Sequence, residues 1–218
     1  MSYFNENQPS NKIKLVGILK SYIVNVIKSN QEIKRYTKYL TKTPLFNKGK
    51  TYRGELLNQP DLNISLLEDL PNEKDSKGNY KVLPNVLGRN KSLVPYIFDE
   101  DLMKEDQVTI FVFNTRDRFY DYKETGDYHF RIIVAYNKDY NILEPYGDER
   151  SLKICEVLSD YFDDEFMYEE FIDKRYKNVC GDVKFQIEHI EEIRISKLGY
   201  LGRIMDIIAK PITDRRIQ

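Results

Sequence analysis

Residue types that often carry chemistry are scarce or missing in this chain. Tryptophan is absent, and the 218 residues include only two cysteines and two histidines. Cys155 and Cys180 lie in no metal-ligand spacing, so we expect two free thiols rather than a zinc site or a disulfide. His129 and His189 fall in strand-like segments, and a metal site would need both to converge with both cysteines. We therefore expect no metal and no cofactor.

The chain also lacks an excess of charge of either sign. Its 34 lysines and arginines face 35 aspartates and glutamates, which gives a formal net charge of -1. A balance of this kind exerts no overall attraction on nucleic acid or on an acidic membrane. A local basic face is still compatible with it, because net charge hides patterning.

Long hydrophobic runs are missing as well. The most apolar stretch, residues 15–27, is too short to span a bilayer and is interrupted by Lys20 and Asn25. It follows a polar arm, residues 1–11, and no small-residue cleavage site accompanies it. These features favour a soluble, intracellular protein with no membrane partner.

Helical periodicity is what the first part of the chain does contain. Apolar residues from Leu15 to Ile27 recur at the spacing of an amphipathic helix. A second helix follows in SNQEIKRYTKYLTKTPL, residues 29–45, where Ser29 and Glu32 have the spacing of a capping box. Thr43 precedes Pro44, which disfavours the helical conformation and predicts the end of this helix.

A long segment without periodicity comes next. Residues 47–107 are rich in glycine and proline, and we interpret them as a loop-rich insertion that packs on something, such as a neighbouring subunit. Short helical or strand pieces are expected near 62–70 and 93–98. We treat residues 12–218 as a single domain that contains this insertion.

The second half of the chain is regular. Strands are predicted at 108–114, 128–136, 182–196 and along GYLGRIMDIIAKP, with a helix that starts near Asp148. Residues 128–136 alternate as a half-buried strand does, and a bulge is expected near Ile190 and Glu191. The predicted helix face comprises Leu152, Cys155, Leu158, Tyr161 and Phe162. The fold class is therefore α+β, a mostly antiparallel sheet flanked by helices.

Catalytic motifs are largely missing from the sequence. It contains no phosphate-binding glycine loop and no nucleophile elbow. The best enzymatic alternative is a Mg²⁺-dependent nuclease, because Asp182 and Lys184 form a D-x-K at a strand start, with Asp61 upstream. A solvated strand start explains the same residues more simply, so we do not expect an enzyme. An acidic run lacks the spacing of a calcium loop and is interpreted as a solvated helix end; it comprises Asp163, Asp164, Glu165, Glu169 and Glu170.

Basic residues beside aromatic ones suggest a second alternative, a small nucleic-acid-binding module. Lys34, Lys38 and Lys42 recur every four residues and predict one exposed stripe on the second helix. Tyr36 lies on the opposite, apolar side and is expected in the core. Arg116 and Arg118, in a turn-rich link between strands, form a second basic spot. Either spot also fits a solvated or partner-facing surface.

The order of segments resembles that of tail-completion and neck proteins of tailed bacteriophages, the tail-terminator group especially. The resemblance covers residues 29–45 and about 108–211, through the phrases VTIFVFN, YHFRIIVAY, ERSLKICEVLSDYF and ISKLGYLGRIMDIIAKP. The first helix and the insertion lie outside it. Proteins of this family have a sheet flanked by helices and assemble as rings.

The resemblance implies a structural protein of the virion, assembled in the host cytoplasm. The chain would form a hexameric or dodecameric ring that joins portal, neck or tail-tube proteins, with DNA passing through the lumen. Tyrosine-rich loops and strand ends suit subunit contacts. The residues expected at such contacts are Pro44, Leu45, Phe46, Phe119, Tyr120, Tyr122, Tyr200 and Leu201. The residues expected to face DNA are Lys34, Lys38, Lys42, Arg116 and Arg118.

Overall fold

The computed structural model describes most of the helices and strands of the chain. The described residues are 12–52, 55–58, 61–62, 65–67, 91–103, 107–119, 126–143, 147–172, 183–196 and 199–211. The helices are α1 (Lys12–Ser29), α2 (Gln31–Lys38) and α3 (Arg150–Phe162). The strands are β1 (Phe46–Tyr52), β2 (Glu55–Asn58), β3 (Leu93–Val94), β4 (Thr109–Phe119), β5 (Gly126–Asn137), β6 (Val183–Arg194) and β7 (Tyr200–Pro211).

Five strands form the main sheet, in the order β3-β4-β5-β7-β6. β3 pairs parallel to β4, and all other neighbours in this sheet are antiparallel. β1 and β2 pair with each other inside the insertion, and short 3-10 helices lie at Glu100–Leu102, Lys138–Tyr140 and Glu169–Phe171. The predicted α+β class, with a mostly antiparallel sheet flanked by helices, is confirmed.

The helices cover one face of the main sheet and form the main core. Residues of α1, α2 and α3 pack there against side chains of β4, β5, β6 and β7. Tyr22 of α1 stacks on Phe185 of β6, with ring centroids 5.3 Å apart. The apolar stripe predicted for α1 is the face that it buries.

A smaller cluster covers one half of the opposite face, which we call the second face. Val94, Phe98, Leu102 and Met103 pack there on Phe111 and on residues from β5, β6 and β7. Ile133 and Ala135 of β5 are consequently buried, although the alternation predicted a half-buried strand. The prediction was wrong because part of the insertion folds back over this face.

The start of α2 differs from the predicted capping box by one residue. Ser29 is the last residue of α1, and Asn30 is the residue between the two helices. The Asn30 side chain accepts a hydrogen bond from the Ile33 N–H at 3.0 Å, with extended backbone angles (φ −74°, ψ 122°). Asn30 therefore ends one helix and caps the next.

The end of α2 was also misplaced by the sequence pattern. The helix ends at Lys38, well before Pro44, and the guanidinium of Arg150 binds backbone carbonyl groups in its last turn and just beyond it. Arg150 donates to the backbone oxygens of Tyr36 (2.7 Å), Tyr39 (2.9 Å) and Thr41 (2.6 Å). It also donates to the Tyr140 oxygen at 2.8 Å. We call this arrangement the Arg150 clamp.

The clamp is buried. Arg150 has 0% relative exposure, and burial lowers the pKa of its guanidinium to about 10, so it still carries a charge at neutral pH. The cation is compensated by backbone carbonyl dipoles. The clamp therefore joins the end of α2, the loop before α3 and α3 itself.

Two further details of the second half were predicted incorrectly. Leu152 of α3 is 38% exposed, while Ser151 and Ile154 are buried, so the helix is rotated relative to the predicted face. The bulge in β6 lies between Ile187 and His189, earlier than predicted.

Candidate functional site

Among the residues that the structure describes, the outer edge of β6 is open over most of its length. The segment 165–167 covers only its beginning, through hydrogen bonds from the Phe185 N–H to the Glu165 oxygen (2.8 Å) and from the Met167 N–H to the Val183 oxygen (3.2 Å). From Gln186 to Arg194, no backbone–backbone hydrogen bond reaches the outer side of β6 within the described residues. Most side chains of this part are exposed.

The opposite edge of the sheet is covered only briefly. β3 has two residues, and these pair with Ile110 and Phe111 of β4. From Val112 to Phe119, β4 has no second neighbouring strand in the part of the chain that the structure describes. Thr115 and Arg116 in this part are exposed. The sheet thus has two open edges, which we call the β6 edge and the β4 edge.

Large apolar side chains are exposed next to both edges. Tyr96 and Ile97, directly after β3, are 46% and 71% exposed. Phe166 and Tyr168, in the segment beside β6, are 49% and 40% exposed, and Ile190 within β6 is 38% exposed. The other exposed large apolar residues of the described chain are Ile142 and Leu152. Exposed apolar groups that collect in this way are typical of protein–protein contact surfaces.

The uncovered half of the second face carries ion pairs. Arg131 of β5 forms a two-point ion pair with Asp206 of β7, both bonds being 2.7 Å, and these hydrogen bonds raise the pKa of Arg131. His129 Nδ1 lies 2.9 Å from Glu188 Oε2 of β6, across β7. His129 Nε2 is buried without a hydrogen-bond partner and is not presented to solvent. The charges of Arg131 and Asp206 therefore compensate each other within the sheet.

The predicted basic stripe is interrupted. Lys38 is fully buried, Lys34 is half-buried and donates to the Leu62 oxygen (3.4 Å), and only Lys42 is exposed. On the same helix, Arg35 forms an ion pair with Asp61 at 2.6 Å. This side of α2 holds residues 61–62 of the insertion, so it is not a continuous surface for nucleic acid. Tyr36 is buried, as predicted.

The second basic spot is part of a strand rather than a turn. Arg116 lies on β4 opposite His129 of β5, and Arg118 lies opposite Asp127. Arg116 is exposed; the side chain of Arg118 lies outside the described residues. Both positions belong to the β4 edge.

The residues expected at subunit contacts fall into several environments. Pro44 and Tyr200 are buried within the chain and offer no side-chain surface to a neighbour. Leu45 and Leu201 are half-buried against the main core. Phe46 is the first residue of β1 and Phe119 is the last residue of β4, and the side chains of both lie outside the described part of the chain. Tyr120 and Tyr122 lie outside the described residues entirely.

The nuclease residues are not assembled in the described chain. Lys184 forms an ion pair with Asp164 (2.6 Å) and lies over the Phe166 ring, while Asp61 is paired with Arg35. Asp182 lies outside the described residues. The whole acidic run is exposed at the end of α3, as interpreted from the sequence. The described residues contain no group of three or more His, Cys, Asp or Glu side chains that could hold a metal ion.

The cysteines do not form a reactive site in the described chain. Cys155 is a buried free thiol, and burial raises its pKa to about 12. Cys180 lies outside the described residues. His189 pairs with Glu191 at 3.2 Å, apart from the His129 pair. Thiol chemistry at Cys155 is therefore suppressed at neutral pH.

No family model, curated protein or solved structure matches the chain. Within the described residues, no helix is long and apolar enough to cross a membrane.

Sequence reasoning missed the two open edges as sites. The exposed pair Tyr96–Ile97 belongs to the apolar run LVPYIF, residues 93–98, and the sequence does not separate its exposed members from the buried Leu93 and Val94. No sequence signal indicates that the two edges are open, because this depends on the order of the strands in the sheet.

Proposed function

We propose that this protein is a non-enzymatic structural component of a phage virion. It forms a homo-oligomeric ring at the head–tail junction, as a neck or tail-terminator protein. The ring joins the portal side to the tail side and lets DNA pass through its lumen. The choice of the head–tail junction rests on the segment order that resembles this group of proteins.

One observation carries the proposal of a ring. Five of the seven exposed large apolar side chains in the described chain lie beside the two lateral edges of the main sheet. A closed ring needs two different contact surfaces on each subunit, because its interfaces are heterologous. Apolar groups at two opposite edges supply such a pair, whereas a single patch would favour a two-fold dimer.

The Arg150 clamp fits a part that must keep its shape. It fixes the end of α2 to α3 and thereby sets the point at which the chain leaves for the insertion. Lys34 and Gln31 of α2 then hold the Leu62 backbone. Subunits of a ring need such rigidity, since small errors in each copy add up around the circle.

The mass of the assembly tests the proposal. We expect native mass spectrometry and light scattering to find a discrete hexamer or dodecamer, alone or after purified portal or tail-tube protein is added. The paired replacement of Tyr96 and Ile97 by serine should shift the assembly toward smaller species. The matched control replaces Ile142, which is exposed elsewhere, and should leave the mass unchanged.

A protein that stays monomeric at high concentration, with and without these structural proteins, would contradict the proposal. So would an assembly of dimers alone, because a two-fold dimer needs only one contact surface.

A further inference from the structure

We propose that neighbouring copies of this chain join edge to edge. The β6 edge of one copy pairs with the β4 edge of the next, so that the main sheet continues from subunit to subunit. This inference rests on the proposed ring and names the contact that builds it.

The directions of the strands support this pairing. β4 is antiparallel to β5, β5 to β7, and β7 to β6, so β4 and β6 run in opposite directions. Subunits of a ring that are related by rotation about an axis close to the strand direction keep the same strand directions. The β6 edge of one copy therefore meets the β4 edge of the next in an antiparallel pair, which is the pattern within the sheet itself. Across the sheet Ile190 is level with Val112, through Met205 and Ile132, and a tilt of the strands against the ring axis supplies the shift that brings Ile190 beside the middle of the open part of the neighbouring β4.

The lengths of the two edges also agree. The uncovered part of β6 runs from Gln186 to Arg194, and the uncovered part of β4 runs from Val112 to Phe119. At each edge a short segment covers the remaining part: β3 on β4, and residues 165–167 on β6. These covers lie at opposite ends of the two edges and limit how far neighbouring strands can slide.

Charge disfavours the competing contact, in which two β6 edges pair around a two-fold axis. Two β6 edges that pair around Ile190 would bring Glu188, Glu191 and Glu192 of one copy close to the same residues of the other, and like charges repel each other. Glu192 and Glu149 share Arg203, so this group keeps a net negative charge. The β4 edge instead carries Arg116 and Arg118. An acidic edge thus meets a more basic one.

The backbone of Ile190 points outward at the centre of the β6 edge. Phe185, which pairs with Ala209 of β7, donates its N–H outward to Glu165. Ile190 pairs with Met205 of β7, which lies four residues from Ala209. Because the bulge is in β6 and not in β7, the alternation of backbone directions along β7 is unbroken between these two pairs. Ile190 therefore has the same orientation as Phe185, with its N–H on the open side.

Replacement of Ile190 by proline is the sharpest test. Proline removes only the outward N–H and is tolerated at the edge of a sheet on the side that faces solvent. We expect Ile190→Pro to weaken each subunit contact by about tenfold, the value of one hydrogen bond and its neighbours. The matched control, Ile190→Thr, keeps the N–H and should change the contact by less than about threefold. Circular dichroism of both variants controls for folding.

Cross-linking tests the pairing without relying on proline. In a Cys180→Ser background, Cys155 is buried and unreactive. A chain with both Thr115→Cys and Ile190→Cys, treated with a short flexible bis-maleimide, should give a ladder of trimers and larger species. Ile190→Cys alone should give no dimer.

The results separate this inference from the proposed ring. If rings form, yet Ile190→Pro behaves like Ile190→Thr and the double-cysteine chain gives no ladder, the edge pairing is wrong and the ring remains. Dimers from Ile190→Cys alone would show β6–β6 pairing and would also overturn it. If no oligomer forms under any condition, the proposed function fails and the edge pairing fails with it.

Discussion

Replacement of Arg150 by methionine should cost a large part of the stability of this fold. Methionine has a similar reach but offers no donor to the carbonyl groups of Tyr36, Tyr39, Thr41 and Tyr140. Hydrogen bonds to a charged group contribute about 1.5–3 kcal/mol each, so four independent bonds would give about 6–12 kcal/mol. That sum is too large, because methionine also removes the cost of burying a cation.

The expected loss is therefore closer to about 3–5 kcal/mol, because several carbonyl groups lose their donor at a cost of about 1–3 kcal/mol for each one that stays buried and unsatisfied. Typical domains have a free energy of unfolding of only about 5–15 kcal/mol. The Arg150→Met protein should then unfold at a much lower urea concentration. The stability of Arg150→Lys should be intermediate, since a compact ammonium group cannot reach all the carbonyl groups that the planar guanidinium reaches.

Urea unfolding followed by far-UV circular dichroism and tyrosine fluorescence measures this loss. The matched control is Lys153→Met in the same helix, which removes ion pairs with Asp148 and Glu156 at the surface. It should cost less than about 1 kcal/mol. If Arg150→Met lies within 1 kcal/mol of Lys153→Met, or if Arg150→Lys matches the parent, the clamp does not hold the end of α2 as argued.

Two further predictions concern the cap of α2 and the buried tyrosines. Asn30→Ala should cost about 1 kcal/mol in urea unfolding, whereas Ser29→Ala should be almost neutral; equal effects would mean that Asn30 does not cap α2. Burial raises the pKa of Tyr22 from 10.0 to about 12, so above pH 10 the unfolded phenol ionises while the folded one stays neutral. Stability should be unaffected below pH 10 and should fall as the pH rises toward 12, less steeply in Tyr22→Phe; a flat profile would contradict this cause. Burial also raises the pKa of five other tyrosines and adds to the fall: Tyr36, Tyr39, Tyr128, Tyr136 and Tyr168.

The helical period and the strand-like alternation of apolar residues were enough to predict the main elements of this fold. The apolar stripe of α1 and the strands β5, β6 and β7 were located within a few residues, because each buries a face whose spacing is visible in the sequence. Local rules failed where tertiary contacts compete with them. Pro44 predicted the end of α2, but the helix ends earlier, where Arg150, more than a hundred residues away in sequence, binds backbone carbonyl groups.

The candidate site was harder to predict than the fold. Lys38 has the spacing of an exposed stripe, yet it is buried, and Gln31 and Lys34 on the same helix contact Leu62 of the insertion. The two open edges follow from strand order, and strand order depends on contacts between distant segments. Nothing in the sequence around Arg150 predicts which carbonyl groups it binds.

The clamp also has a consequence for synthesis of the chain. α2 leaves the ribosome well over a hundred residues before Arg150 does. A helix of eight residues is marginal on its own in water. The α2 segment is therefore not stably folded, and its last carbonyl groups are bound to water, until α3 has been synthesised. Ribosome-bound chains that stop before Arg150 should be cleaved by protease near residues 36–41, and chains that extend beyond β7 should be protected there. Production of a stable N-terminal half is thus coupled to completion of the C-terminal half.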